Sequence, residues 1–177
     1  GGGNKEVLLR NVEGADVDGK VDLQPYVNRA FETIAMAKVS TSAKEAKDLG
    51  LLQDHDQITG NKDYLIHDAK QSVLALEQVG YEPKRPKKVR VVGEPGLAVL
   101  KLGVYQMKCS GFISDHDEKI AKKLAYVLSG GDLPANSYVS EQYLLDLERE
   151  AFLSLCGEAK SQARMQHMLL KGKPLRN

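Results

Sequence analysis

Apolar residues recur along most of this chain at intervals of three and four, the spacing that lines side chains up on one face of a helix. Val27, Phe31, Ile34, Ala35 and Lys38 predict a core-forming helix over Tyr26 to Val39, with Arg29 and Glu32 on its wet side. Ser40, Thr41 and Ser42 then offer hydroxyls to free backbone N–H groups, and Ser42 with Glu45 has capping-box spacing, so a short helix should run from Ala43 to Leu49 and stop at Gly50. Leu65, Ala69, Val73 and Leu76 predict a helix from Lys62 to Val79, capped by Asn61 and ended by Gly80. Leu97, Leu100, Val104 and Met107 predict one that begins at Glu94 and Pro95, runs to Cys109 and closes at Gly111.

The last third is the most regular. Ile113 and Ser114 make a hydrophobic lead-in and N-cap for a helix that carries Ile120, Leu124, Val127 and Leu128 and ends at Gly130 and Gly131. Val139 and Ser140 start another with Leu144, Leu147, Ala151, Phe152 and Leu155 inward and Gly157 as its stop. A final helix over Glu158 to Lys171 has a softer edge of Met165, Met168 and Leu169. Near the start, Val7 to Leu9 suggest one or two helical turns, and Gly14-Ala15-Asp16 and Asp18-Gly19 suggest turns. Only Val89, Val91 and Val92 suggest a strand, so the fold class is mainly α with little or no sheet. Tyr81 to Lys88, with two prolines and four cations in its last six residues, is the best internal boundary and reads as a solvated linker.

Composition then narrows the function classes. At 177 residues the chain can bury a core without disulfides. With 25 Lys and Arg against 24 Asp and Glu, the net charge of +1 gives no global field for nucleic acid. The basic segment has one aromatic neighbour, Tyr81, where single-strand binders interleave several with charge. Cys109 and Cys156 lack paired spacing and read as buried free thiols of a reducing compartment. No apolar run approaches the roughly 20 residues of a membrane helix, the first residues do not read as a basic-then-apolar signal segment, and the sequence begins at Gly1 rather than Met, so a cytoplasmic piece of a longer protein is expected.

Candidate chemistry is sparse. Asp-His-Asp occurs at Asp54 to Asp56 and again at Asp115 to Asp117, but adjacent helical residues diverge and the second triplet suits a helix start, so no metal site is expected. His67 has no nucleophile or base beside it and reads as a boundary residue. Gly1, Gly2 and Gly3 could bring backbone N–H groups to a phosphate at a helix start.

Ser42, Ala43, Glu45, Ala46, Gly50, Leu51 and Leu52 resemble the closing signature of the crotonase superfamily, the enoyl-CoA hydratases and isomerases. Gly1-Gly2-Gly3-Asn4-Lys5-Glu6 resembles that family's glycine-rich turn, and Gly111 to Pro134 and Ser140 to Asn177 look like the C-terminal end of bacterial multifunctional fatty-acid β-oxidation proteins. In those, an NAD-dependent 3-hydroxyacyl-CoA dehydrogenase module precedes a crotonase-like module. The resemblance implies that residues 1–82 are the C-terminal segment of a crotonase-like domain, 83–88 a basic linker and 89–177 a helical extension. It also implies NAD and acyl-CoA for the parent protein, with no cofactor held by this piece. The partners implied are the upstream crotonase and dehydrogenase modules, and a homo-oligomer. No acid or base of the family maps onto this chain. Only Gly1, Gly2 and Gly3 do, as a turn flanking the active site, so a packing and assembly role is expected. The alternative is an independent helical protein-interaction module that uses the basic linker and the Met-bearing last helix.

Overall fold

A computed structural model describes residues 1–13, 15, 19–83 and 85–177. The turns expected at Gly14 to Asp16 and at Asp18, and Lys84 of the basic segment, lie outside the described residues. Among the described residues eight helices form: α1 (Gly3–Val12), α2 (Gln24–Ala35), α3 (Ala43–Asp48), α4 (Leu65–Gln78), α5 (Gly93–Cys109), α6 (Asp115–Ser129), α7 (Glu141–Cys156) and α8 (Ala159–Lys171). A 3-10 turn at Lys62–Tyr64 leads into α4. Two three-residue strands, β1 (Lys88–Arg90) and β2 (Tyr138–Ser140), pair antiparallel with Val89 opposite Val139. The mainly α fold expected from the spacing is the fold observed.

The core sits where α1, α2, α5, α6 and the start of α7 converge. Leu8, Val12 and Val27 from the first part of the chain share it with Val91, Leu97, Leu128 and Leu144. Leu128 and Leu144 are wholly buried, and each such side chain contributes about 1.5–3 kcal/mol. Gly93 shows how tightly the parts meet. Its φ of 63° is left-handed, and a Cβ there would stand 2.2 Å from the Leu133 carbonyl oxygen. Its neighbour's N–H donates to that same carbonyl at 2.8 Å. Only a residue without a side chain fits.

Several local details differ from the sequence expectation. The first long helix stops at Ala35, short of Val39. Lys38 N–H donates to the Thr33 carbonyl and Ala37 N–H to that of Ile34, a Schellman closure with Ala37 at φ 51°. The same pair of bonds ends α3, α4 and α5 at Gly50, Gly80 and Gly111, where glycine announced the stop. At α2 an alanine holds the left-handed position and hides it. Around α3, Ser42 Oγ accepts from Glu45 N–H at 3.1 Å, but the Glu45 carboxylate reaches Thr41 N–H and hydroxyl rather than Ser42. Cys109 is free but exposed, not buried. It lies five positions past Val104, about 140° round from the buried stripe of α5.

α4 forms as expected but buries none of its residues. Ile66 is 84% exposed and Val73 64%, while Thr59 and Gln57 tie the helix to the segment before it through Asp68 and Ser72. His67 is exposed with it rather than at a boundary.

Candidate functional site

An open apolar groove of about 1460 Å³ runs between the end of α2, the end of α5, α6, α7, α8 and the chain after Gly172. Ile34, Met107, Ile120, Leu124, Leu145 and Phe152 give it an apolar bed. They come from four helices whose apolar stripes turn toward one another without filling the space between them.

Gly1 and Gly2 form part of the groove wall, and Gly3 begins α1 behind them. The backbone donors at this helix start do not face open space. Gly2 N–H donates to Glu148 Oε1 at 2.7 Å, and Lys5 N–H to Oε2 at 3.3 Å. A carboxylate from α7 therefore sits where a phosphate would sit, complementing the positive end of the helix. Lys5 itself is buried and pairs with Glu6 and Glu141, the latter at 2.9 Å. Burial works against its charge, but the two carboxylates prevail and raise its pKa above 10.5.

At the other end stands a polar cluster. Ser114 and Asp117 complete a capping box at the start of α6: Ser114 Oγ accepts from Asp117 N–H at 3.1 Å, and Ser114 N–H donates to Asp117 Oδ2 at 3.1 Å. Arg164 of α8 donates to Asp117 Oδ1 at 2.7 Å and, through Nε, to Asn177 Oδ1 at 2.8 Å. The Ser114 hydroxyl also reaches the Asn177 carbonyl oxygen at 2.9 Å. These bonds strap residues 173–177 along the groove edge. Burial pushes the Asp117 carboxyl up, but the Arg164 and Ser114 donors outweigh it and hold its pKa at about 2.

Beside the cluster, His116 is buried with Nε2 at 2.9 Å from Ser161 Oγ. Burial first, then the nearby charge of Arg164, lowers its pKa below 6.5. Asp115 pairs with Lys108, and in the other Asp-His-Asp triplet Asp56 accepts from Gln53 N–H at 2.8 Å. Among the described residues no three His, Cys, Asp or Glu side chains gather as metal ligands. The described cations of the basic segment are exposed, with Lys87 3.6 Å from Glu13. Among the described residues no helix is long and apolar enough to cross a membrane. The sheet is a two-strand antiparallel ribbon.

Sequence reasoning singled out Gly1 to Gly3 and the Ser114 cap, but missed Glu148 and Arg164. Glu148 meets Gly2 across 146 residues and Arg164 meets Asp117 across 47, and no local spacing marks either pair. The one available hint was charge on an otherwise apolar helix edge.

No family model matches the chain, and no solved structure matches it. Over all 177 residues it is 56% identical to a protein of Bacillus subtilis (strain 168) named probable 3-hydroxyacyl-CoA dehydrogenase, and it spans 22% of that protein's length, so the chain is similar throughout to a segment of such a dehydrogenase.

Proposed function

We propose that this chain is the C-terminal portion of a fatty-acid β-oxidation protein that joins a 3-hydroxyacyl-CoA dehydrogenase to a crotonase-like enoyl-CoA hydratase module. Its role there is packing and assembly. In this reading residues 1–82 close the crotonase-like domain, 89–177 extend it, Gly1 to Gly3 flank its active site, and the whole protein is cytoplasmic, uses NAD and acts on acyl-CoA. One observation carries the reading: 56% identity that spans the entire chain yet only 22% of the relative. The bare apolar side of α4 adds support, since a helix with no buried residue has its stabilising contacts elsewhere. The two carboxylates of the groove wall, Glu148 and Asp117, are committed to a helix start and to a cap with an ion pair, which is consistent with a piece that is catalytically incomplete alone.

The test uses the isolated 177-residue chain and the remainder of the parent protein. The chain alone should neither hydrate crotonyl-CoA nor oxidise a 3-hydroxyacyl-CoA with NAD above a buffer control, and it should be captured by the remainder. Activity in the chain alone, or indifference to the remainder, overturns the proposal. The exposure of Leu169 and Leu170 on α8, 86% and 71%, favours a second reading as an independent interaction module. An antibody against Ser140 to Asn177 separates the two. The first reading expects a native band several times larger than 19.4 kDa, the second a band at that mass.

A further inference from the structure

We propose that α8 and residues 173–177 form a detachable wall of the groove, locked by side-chain polar bonds to the start of α6, and that a proton taken up by His116 releases it. Packing alone holds this wall weakly. Ser161 is the one buried residue of α8, while Met165, Met168, Leu169 and Leu170 all stay exposed. Most helices in proteins owe their stability to a buried apolar face, and α8 has little of one. Polar bonds hold it instead, and they converge on Ser114 to Lys119. His116 Nε2 lies 2.9 Å from Ser161 Oγ, and Arg164 donates to Asp117 at 2.7 Å. Glu158, the N-cap of α8, pairs with Lys119, and the Asn177 carbonyl accepts from the Ser114 hydroxyl at 2.9 Å. Gly157, exposed between α7 and α8, gives the backbone a hinge.

His116 is the part of the lock that acid switches. The charges acting on its buried ring are Arg164, Lys160 and Glu158 from α8 and its cap and Lys119 from α6; α7 supplies none of these. Three of the four are cations. The neighbouring carboxylates are already taken, Asp115 by Lys108 of α5 and Asp117 by Arg164 and by Arg176 of the strap. A proton on the imidazole therefore puts a buried cation among three others, and the one carboxylate left to face it, Glu158, is already held by Lys119. Swinging α8 away removes Arg164 and Lys160 from beside the ring and lets water reach it. Proton uptake and opening are thereby coupled, and the groove loses its Arg164 and Met168 side. Acidification uncovers the apolar bed.

The experiment is hydrogen exchange read by mass spectrometry on the 177-residue chain from pH 7.5 down to pH 5, corrected for the intrinsic pH dependence of exchange. Below pH 6.5, the opening constant of α8 and residues 173–177 should rise by up to about tenfold for each pH unit, while α5 and the second half of α6 keep their protection. Binding of a fluorescent apolar dye should rise in step. His116→Gln, neutral at every pH and able to hydrogen-bond Ser161, should abolish the rise. Lys160→Glu, at an exposed position and therefore gentle on folding, should move the rise to lower pH by giving the protonated ring a carboxylate to face. A rise that survives His116→Gln, or that Lys160→Glu leaves in place, overturns the proposal. So does loss of protection in α5 at the same pH, which would make the transition global. The readout is exchange within this chain, so it succeeds or fails separately from the activity test of the parent reading.

Discussion

Neutralising Asp117 by Asp117→Asn gives the sharpest test of the polar cluster that joins α6, α8 and the terminal strap. The carboxyl is 14% exposed and its pKa stands at about 2 rather than 3.8. At about 1.4 kcal/mol per pH unit, that difference is worth about 2 kcal/mol of folding stability. Because the folded pKa lies below the unfolded one, the stabilisation is fully present above pH 3.8 and is lost as pH falls toward 2. Urea unfolding followed by circular dichroism from pH 7 to pH 2.5 measures it directly. At pH 7 the variant should be about 2 kcal/mol less stable than the parent chain, and the gap should close on the acid side. Arg164→Ala should cost a similar amount, and the double variant should be much less than additive, because both changes break one network. Arg164→Ala should also speed amide exchange in residues 173–177, which hang on the same guanidinium. A gap that persists unchanged at pH 2.5, or simple additivity, would refute the reasoning.

Three further outcomes follow from other parts of the fold. Ala37→Gly should stabilise the chain by about 0.5–1 kcal/mol in the same unfolding assay, because the left-handed backbone at φ 51° costs alanine more than glycine's extra chain entropy. His116 has a folded pKa below its unfolded value of 6.5, so its contribution is complete above that pH and is lost as pH falls below it. His116→Gln should flatten that stretch of the stability curve, and a proton resonance showing His116 titrating above 6.5 would contradict it. Ile66→Ser and Val73→Ser on α4 should change the stability of the isolated chain by less than about 0.5 kcal/mol, yet weaken capture by the remainder of the parent protein at least tenfold.

What the sequence disclosed was mostly local. Periodicity placed the helices, and Ser114 with Asp117 announced the start of α6 as written. Punctuation by a non-glycine was invisible, as at Ala37, because one alanine in the left-handed region looks like any other alanine. The second strand was missed because Tyr138 to Ser140 also reads as a helix lead-in, and only its pairing with Lys88 to Arg90 makes it a strand. Periodicity also says that a face is apolar without saying what covers it: the stripes of α6 and α4 read alike, yet Leu128 is buried and Val73 is bare. The groove was illegible for the same reason. It is a property of how four stripes fail to meet, and each stripe alone looks like core.

The carboxylate of Glu148 at the start of α1 also has a consequence in time. During synthesis at about 5–20 residues per second, the first helix emerges on the order of ten seconds before the residue that caps it. Over that interval Leu8, Val12 and Val27 have neither Leu128 nor Leu144 to bury them. Completion of this core therefore waits for the later arrival of α6 and α7, so the folding of this segment is governed by so distant a closure.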